Sequence, residues 1–423
     1  MFCAVMHMHI LYIHQYFATP RGSTGTRSYE FARRWVKEGH QVTMLTTIAQ
    51  LTPADLEGVR PGVLAGRVCI DGIEVIACRI KYKQAMSSLR RVWAFAAFML
   101  LASWYALCTP QIDVVYASST PITVGVPALL ARWLRGRPFA LEVRDPWPAL
   151  PIQMGVIRHP LWVWLVSWLE RTLYRHARAV VTLSPGMEQL VREAAPPAKS
   201  VITIPNAADT ERFRPDLERR TVRRQRGWEG RFVCMHCGAM GRVNGLDLIV
   251  RAARHFRQDR NFLFVLIGEG GEMPKLKEQR RRLGLENLVI LDVVPKRELP
   301  GFLAAADLCL MTVMPLPILE HNSANKFFDY LSAGRPVLLN YSGWQRDLLE
   351  NAHAGFGCRL GDEAEFFQKL DDLRADPARC LTMPRNARRL AVERFDRETL
   401  ARQALEVVLS AWKRSPAPHE LPK

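Results

Sequence analysis

Short apolar runs alternate with amphipathic helical stretches along almost the whole chain, and the alternation is laid down twice. The first series opens with HILYIHQYF and passes through the loop ATPRGSTGTR. It continues in SYEFARRWVKEGH, with Phe31 and Trp35 on one helical face, and returns in QVTMLTT. Strand, glycine-containing loop, helix and strand make the unit of a doubly wound parallel sheet. IDVVYASS, PFALEVRD and AVVTLSP extend the series, and VITIPNAADTERFRP closes it with a strand, a turn and a polar linker. A second series starts afresh at RFVCMHCGAMGRVNG. It runs through a helix from Leu246, FLFVLIGEGG, a basic helix to Leu283, LVILDVV, LPGFLAAA, LCLMTVMP and NSANKFFDYLSAGRPVLLN. RETLARQALEVVLSAW then reads as a helix that crosses back to the first half. The expectation is an α/β protein of two Rossmann-like domains, 1–207 and 208–398, with 399–423 as the returning helix and tail. A chain of 423 residues is long enough for two such cores.

Charge narrows the partners. A formal charge of +17 favours anions: nucleotide phosphates, nucleic acid or an anionic membrane leaflet. Eleven tryptophans, several beside arginines, favour the membrane surface over nucleic acid. Residues 92–108, VWAFAAFMLLASWYALC, carry no charge and sit behind Arg90 and Arg91. A run of roughly 17 residues is at the lower edge for spanning a bilayer. The stretch therefore reads in three ways: a helix in the membrane interface, a core helix, or a span. HPLWVWLVSWLERTLYRHAR has the same character, with Trp162, Trp164 and Trp168 near Arg171 and Arg175 as Trp93 and Trp104 lie near Arg90 and Arg91.

Nine scattered cysteines, odd in number and mostly inside apolar runs, indicate reduced thiols and a cytoplasmic setting. The lone C-x-x-C at Cys234 and Cys237 is explained by a strand without a metal. MFCAVMHMHILYIHQYF lacks a cationic n-region and a small-residue cleavage site, so no signal peptide is expected.

Gly22, Ser23 and Gly25 lie between the first strand and first helix, where backbone N–H groups and a helix dipole make a seat for a phosphate or an anionic acceptor group. A tight turn that needs glycine explains them equally well. Neither a G-x-G-x-x-G spacing nor a P-loop lysine is present. Gly238 and Gly241 repeat the arrangement in the second half, with Arg242 as a fixed cation. Asp145, in EVRDPWP, falls just past a strand end, where open α/β sheets bind ligands; capping the next turn or pairing with Arg144 are its structural alternatives. Lys326 and Asp329 stand one turn apart at the head of an amphipathic helix that Gly334 would cap.

Taken together, GSTGTRSYEFARRWVKEGHQVTMLTT, EVRDPWP, TLSPGMEQLV, IPNAADTERFRP, FVLIGEGGEMPKL, AAADLCLM and NKFFDYLSAGRPV, in this order, resemble the GT-B glycosyltransferases of the retaining family four. Within it the chain is similar to bacterial L-fucosamine transferase-like enzymes of surface-polysaccharide synthesis. The resemblance implies two Rossmann-like domains facing across a cleft. It implies transfer of a hexosyl or N-acetylhexosaminyl group from a UDP-sugar to a lipid-linked saccharide, with retention and without an essential metal or other cofactor. The setting it implies is the cytoplasmic face of a bacterial inner membrane, where the protein is peripheral and takes no nucleic acid partner. A GT-B epimerase of UDP-sugars and a non-catalytic scaffold on a degenerate transferase fold are the alternatives.

The resemblance also assigns residues. Asp329 matches the second acid of an E-x7-E element that holds the nucleotide ribose, with Asn325 starting its helix. Where the first acid would stand the sequence has His321, with Glu320 beside it, and either can touch the donor sugar. Main chain near Val293 and Val294 would contact the nucleotide. The family's lysine after the second glycine loop falls near Asn244 here, which leaves Arg242 and Lys326 to neutralise the diphosphate. Arg144 stands where relatives carry a histidine, so Asp145 is the remaining polar group expected near the reacting centre.

Overall fold

Two runs, His9–Ile13 and Phe262–Ile267, are buried along their whole length, as strands covered by helices on both faces must be. The computed structural model describes residues 7–413, except 23, 61, 83–85, 198, 216–218, 296 and 377–378 and the side chains of 88 and 379–381. Two compact units result, Met1–Pro205 with Glu398–Lys423, and Asn206–Arg397.

The first unit begins with β1 (His9–Ile13), α1 (Arg27–Lys37), β2 (Gln41–Thr47), β3 (Ala65–Ile70), β4 (Ile73–Cys78), α2 (Ser88–Cys108) and β5 (Val114–Ser118). It continues with α3 (Gly125–Arg135), β6 (Phe139–Val143), α4 (Ala149–Gln153), α5 (Pro160–His176), β7 (Ala179–Thr182), α6 (Pro185–Ala194) and β8 (Ser200–Thr203). The second unit holds α7 (Arg219–Arg226), β9 (Phe232–Cys237), α8 (Asp247–His255), β10 (Phe262–Ile267), α9 (Met273–Leu283), β11 (Leu288–Leu291) and α10 (Leu299–Ala305). After these come β12 (Leu308–Met311), α11 (Asn325–Ser332), β13 (Val337–Leu339), α12 (Trp344–Asn351), β14 (Gly355–Gly357), α13 (Glu363–Ala375) and α14 (Arg379–Arg394). Last in the chain is α15 (Arg397–Lys413).

The first sheet has the order β3-β4-β2-β1-β5-β6-β7-β8 and is parallel except for the β3–β4 hairpin. The second has the order β11-β10-β9-β12-β13-β14, parallel throughout. In each, the strand order reverses direction beside the first strand, between β1 and β5 and between β9 and β12. The carboxyl ends of those strands are the topological switch points where such sheets bind ligands.

The last helix, α15, packs within the first unit. Its Leu400, Ala401, Ala404, Leu405 and Val408 are buried, the Trp35 indole N–H donates to Ala401 O at 3.0 Å, and Arg34 pairs with Glu398 at 2.6 Å. Trp35 in turn stacks on Tyr12 of β1, centroids 5.5 Å apart, which ties α15 to the sheet through α1.

Candidate functional site

At its switch point the second unit assembles the residues of its glycine loop and of α11. Beyond β9, Gly238 N donates to Ile267 O at 2.9 Å and Met240 N to Glu269 O at 2.6 Å, so the loop is fastened to the end of β10. That closeness demands glycine opposite: Gly268, at φ +150°, would overlap the Gly238 carbonyl oxygen if it carried a Cβ, and Gly270, at φ +156°, that of Met240. The sequence GEGG thus holds GAMG in place. A 3-10 turn at Arg242–Asn244 follows, ahead of α8. Arg242 is exposed, and among the described residues its side chain has no hydrogen-bond or ion-pair partner.

Lys326 lies in the first turn of α11, and its Cδ and Nζ come within 3.5 and 4.0 Å of where a Cβ on Gly238 would be. Its Nζ donates to Asn244 Oδ1 at 2.6 Å. Burial draws its pKa down to about 7, so the half-buried ammonium is held at the edge of losing its proton. Beneath it, His236 of β9 is fully buried. Burial, then the charge of Lys326, keeps His236 neutral, its pKa well below 6.5. With Nδ1 set against Leu310 O at 3.2 Å, the neutral ring donates there and turns a bare acceptor, Nε2, into the interior without a partner. Ser323 Oγ, just ahead of α11, is likewise buried without a hydrogen-bond partner. The helix begins at Asn325, as expected, behind an Ala324 cap that supplies no side-chain bond to its first N–H groups. An ammonium near neutrality, a helix N-terminus and a glycine loop converging here are the chemistry of an anion seat.

Asp329 follows Lys326 on the same half-buried side of α11, while Phe327, Phe328, Tyr330 and Leu331 are buried. Its charge bears on the Cys237 thiol, which burial has already pushed well up. Tyr330 anchors the helix: its hydroxyl accepts from Cys237 N at 2.8 Å. Gly334, at φ +60°, ends the helix as expected, its N–H reaching Leu331 O. Of the two residues eight or nine before Asp329, Glu320 has Oε1 occupied by Ser342 N–H at 3.2 Å, and both sit on the 3-10 turn Pro317–His321. Val293 and Val294 follow β11 in irregular backbone, Val293 exposed. Cys234 and Cys237 are buried strand residues, and among the described residues they join no group of three side chains that could hold a metal.

The remaining expected residues belong to the first unit. Ser23 lies outside the described residues. Gly22 donates to Thr19 O at 3.0 Å, and a Cβ there would meet nothing nearer than 3.5 Å, so the turn itself does not require glycine at 22. Gly25 lies two positions before α1, ahead of the Thr26 cap. Asp145 and Arg144, paired in one sequence reading, are not paired in the structure. Asp145 Oδ2 accepts from Thr120 Oγ1 at 2.5 Å, and Arg144 Nη1 lies 3.0 Å from His14 Nε2. The reason is alternation: consecutive residues leaving a strand point to opposite sides. Burial, then Arg144, keeps the His14 pKa well below 6.5, so Nε2 accepts from Arg144 and Nδ1–H donates to Ser28 Oγ at 2.8 Å.

Sequence reasoning missed the knot beneath them. Glu142 is fully buried on β6 and takes bonds from Arg27 Nε at 2.9 Å, Tyr116 at 3.0 Å and Ser118 at 2.5 Å. Burial alone would raise its pKa; Arg27 and Arg144 outweigh it and hold the carboxyl at about 2. Arg27 also reaches Pro205 O and Ile204 O, which pins the end of the unit to the start of α1.

The 92–108 stretch is neither a wholly buried core helix nor an apolar rod free all round. Ala94, Phe98, Ala102 and Ala106, spaced by four, are buried against the sheet, while Trp93 and Trp104 are 74% and 65% exposed. It is the one helix among the described residues long and apolar enough to cross a membrane. α3 packs between α2 and α5, adding exposed Trp133 and Leu134, and α5 exposes Leu161, Trp162, Trp164, Leu165 and Trp168. Such a breadth of exposed apolar surface, rimmed by Arg90, Arg171 and Arg175, marks an interaction face.

Two doubly wound units of this order, in tandem, define the GT-B class of fold. A family model described as "Glycosyl transferase 4-like domain" matches residues 22–207, and one described as "Glycosyl transferases group 1" matches 231–376. The chain belongs to the glycosyltransferase group 1 family. It is 23% identical over 265 residues to "Probable glycosyltransferase WbjE" of Pseudomonas aeruginosa, covering 62% of this chain and 66% of that one. It is 24% identical over 245 residues to "Putative colanic acid biosynthesis glycosyl transferase WcaI" of Escherichia coli, covering 56% and 59%. The matched stretches thus span less than two thirds of either relative. Among solved structures, Anabaena Alr3699/HepE in complex with UDP-glucose superposes with a TM-score of 0.71 at 21% identity, over 96% of this chain and all of that one.

Proposed function

We propose that the protein is a retaining glycosyltransferase. It moves a hexosyl or N-acetylhexosaminyl group, an amino sugar among the candidates, from a UDP-sugar to a lipid-linked saccharide. The reaction serves O-antigen, capsule or exopolysaccharide synthesis at the cytoplasmic face of a bacterial inner membrane. The observation that carries this reading is Lys326, held by Asn244 over the Gly238 loop at the uncapped start of α11. Breaking the bond from the sugar C1 to the diphosphate oxygen puts negative charge on the leaving UDP. Lys326, Arg242 and the N–H groups at the head of α11 are positioned to stabilise that charge as it grows. The acceptor oxygen bonds C1 on the face the phosphate leaves, and its proton passes to the departing phosphate. The protein's own cations suffice for this, so the reading needs no metal. Asp329 takes the ribose hydroxyls, main chain at Val293 and Val294 the base, and Glu320 or His321 the sugar. UDP-glucose in the Anabaena relative supports the nucleotide, and the colanic acid biosynthesis relative of Escherichia coli supports the setting.

The exposed tryptophan face of α2, α3 and α5 supports peripheral attachment to an anionic leaflet, since tryptophan and arginine together favour the headgroup boundary. The test is a panel of UDP-, GDP- and ADP-sugars incubated with the protein, with and without membranes of a polysaccharide-producing bacterium. UDP release from one UDP-sugar, increased by membranes, is expected. Release from GDP-sugars alone refutes the donor assignment. Interconversion of UDP-sugars without release indicates an epimerase, and no turnover or nucleotide binding indicates a scaffold.

A further inference from the structure

Within the first unit lies a cavity of about 400 Å³ between α5, α6 and the segment that follows Asp145. Its α5 wall is the row Ser167, Glu170, Arg171 and Tyr174, spaced i, i+3, i+4, i+7, which is one face of a helix. Trp147 and Pro146 close it on the Asp145 side, and Met187 and Leu190 of α6 lie opposite. The floor is apolar, yet it contains a carboxyl. Glu170 is half-buried, its hydrogen-bond partner is the Tyr174 hydroxyl, and the charge of Arg171 lies beside it. Burial raises its pKa to about 7. Arg171 belongs to a second row as well, Trp164, Trp168 and Arg171 (i, i+4, i+7), and so stands at the border between the cavity and the exposed tryptophan face. Its guanidinium is exposed, and its charge bears on the neighbouring Glu170 carboxyl.

A carboxyl with spare hydrogen-bonding capacity, an indole wall and a chamber of about 400 Å³ make a seat for a polyhydroxylated ring. The adjoining apolar row makes a track for a chain attached to it, and a cation marks the junction. We infer that this cavity binds the lipid-proximal sugar of the lipid-linked acceptor, with the lipid along Trp164 and Trp168 and the linking phosphate at Arg171. Naming the occupant as the acceptor rests on the glycosyltransferase reading; that the cavity binds a sugar-headed amphiphile does not. The site places the acceptor beside Asp145 while its lipid stays on the membrane face.

The probe is octyl β-glucoside below its micelle concentration, titrated into the full-length protein by calorimetry. Glucose, which has no tail, and octyl dimethylamine oxide, which has no sugar, are run in parallel. Saturable binding of the glucoside is expected, at least about tenfold tighter than either half alone. Glu170→Gln should weaken it about fivefold, as for one hydrogen bond of about 1 kcal/mol. Ser167→Phe, which fills the chamber, should abolish it, with melting temperature confirming that the variant folds. Should Ser167→Phe fail to fold, the Glu170→Gln result alone decides. Equal binding of glucoside and amine oxide, or glucoside affinity unaltered in Glu170→Gln, overturns the inference. UDP binding by the wild-type protein, measured in the same instrument, reports separately on the donor reading.

Discussion

Nucleotide binding should take up a proton, and Lys326 should be the group that receives it. In the free protein its pKa is about 7, drawn there by burial, so it is half neutral at that pH. At pH 8 about nine molecules in ten would carry it uncharged, from one unit of difference. A diphosphate against the amine favours the charged form and returns its pKa toward the ordinary value of about 10.4. Only the protonated lysine binds well, so affinity for UDP must fall as pH rises past 7. The factor is about fivefold from pH 7 to pH 8 and about tenfold more by pH 9, or about 1.4 kcal/mol per unit at the steep end. Uptake should be about half a proton per UDP at pH 7 and about nine tenths at pH 8. Calorimetry in two buffers of different ionisation enthalpy reads it directly. Working at pH 7 to 9 keeps clear of the nucleotide's own phosphate, whose pKa of about 6 shifts the other way. Lys326→Met should bind UDP weakly with no proton uptake. Uptake at pH 8 that is zero in the wild type, or equal in Lys326→Met, refutes the placement of the diphosphate at this lysine.

Asp329→Asn should weaken UDP and UDP-sugar alike by about 1 to 3 kcal/mol, as for a lost charged hydrogen bond, with melting temperature nearly unaltered. Unaltered affinity with a small loss of stability would leave Asp329 a helix-dipole role only. Arg242→Ala should lower turnover by about 1.5 to 3 kcal/mol of transition-state stabilisation, and Arg242→Lys should restore part of it; wild-type rates in both place the phosphates elsewhere. Glu142 contributes stability that is present above its unfolded pKa and is lost as pH falls through its folded value of about 2. Acid unfolding of the first unit between about pH 4.5 and 2 should therefore lose about 3 kcal/mol, and Glu142→Gln should abolish that part of the pH dependence. Replacing Trp162, Trp164 and Trp168 by serine should abolish sedimentation with anionic vesicles, and a wild-type protein that never sediments with them removes the membrane face from the account.

The doubly wound order was legible because strands buried on both faces leave unbroken apolar runs, and the glycine loops and α11 showed in local sequence. What sequence could not show were contacts between distant residues. Asn244 stands 82 positions from the lysine it holds, and Arg27 lies 115 from Glu142. The uncharged surface of 92–108 gives no period to read, so which side faces the sheet emerges only from the alanines and Phe98 that pack there. Arg144 and Asp145 are neighbours in sequence, and strand alternation separates their partners, His14 and Thr120. His236 did carry a signal, a polar residue inside an apolar strand two positions before a glycine loop, as did Glu142 inside FALEV.

The most direct measurement is UDP release from a panel of UDP-sugars by the wild-type protein and by Lys326→Met, with sugar incorporation into the lipid fraction followed in parallel. The account predicts UDP release coupled to labelling of lipid in the wild type and a loss of at least about tenfold in the variant, the equivalent of about 1.4 kcal/mol. Equal rates in the two proteins, or a wild type that neither binds UDP nor labels lipid, would contradict it.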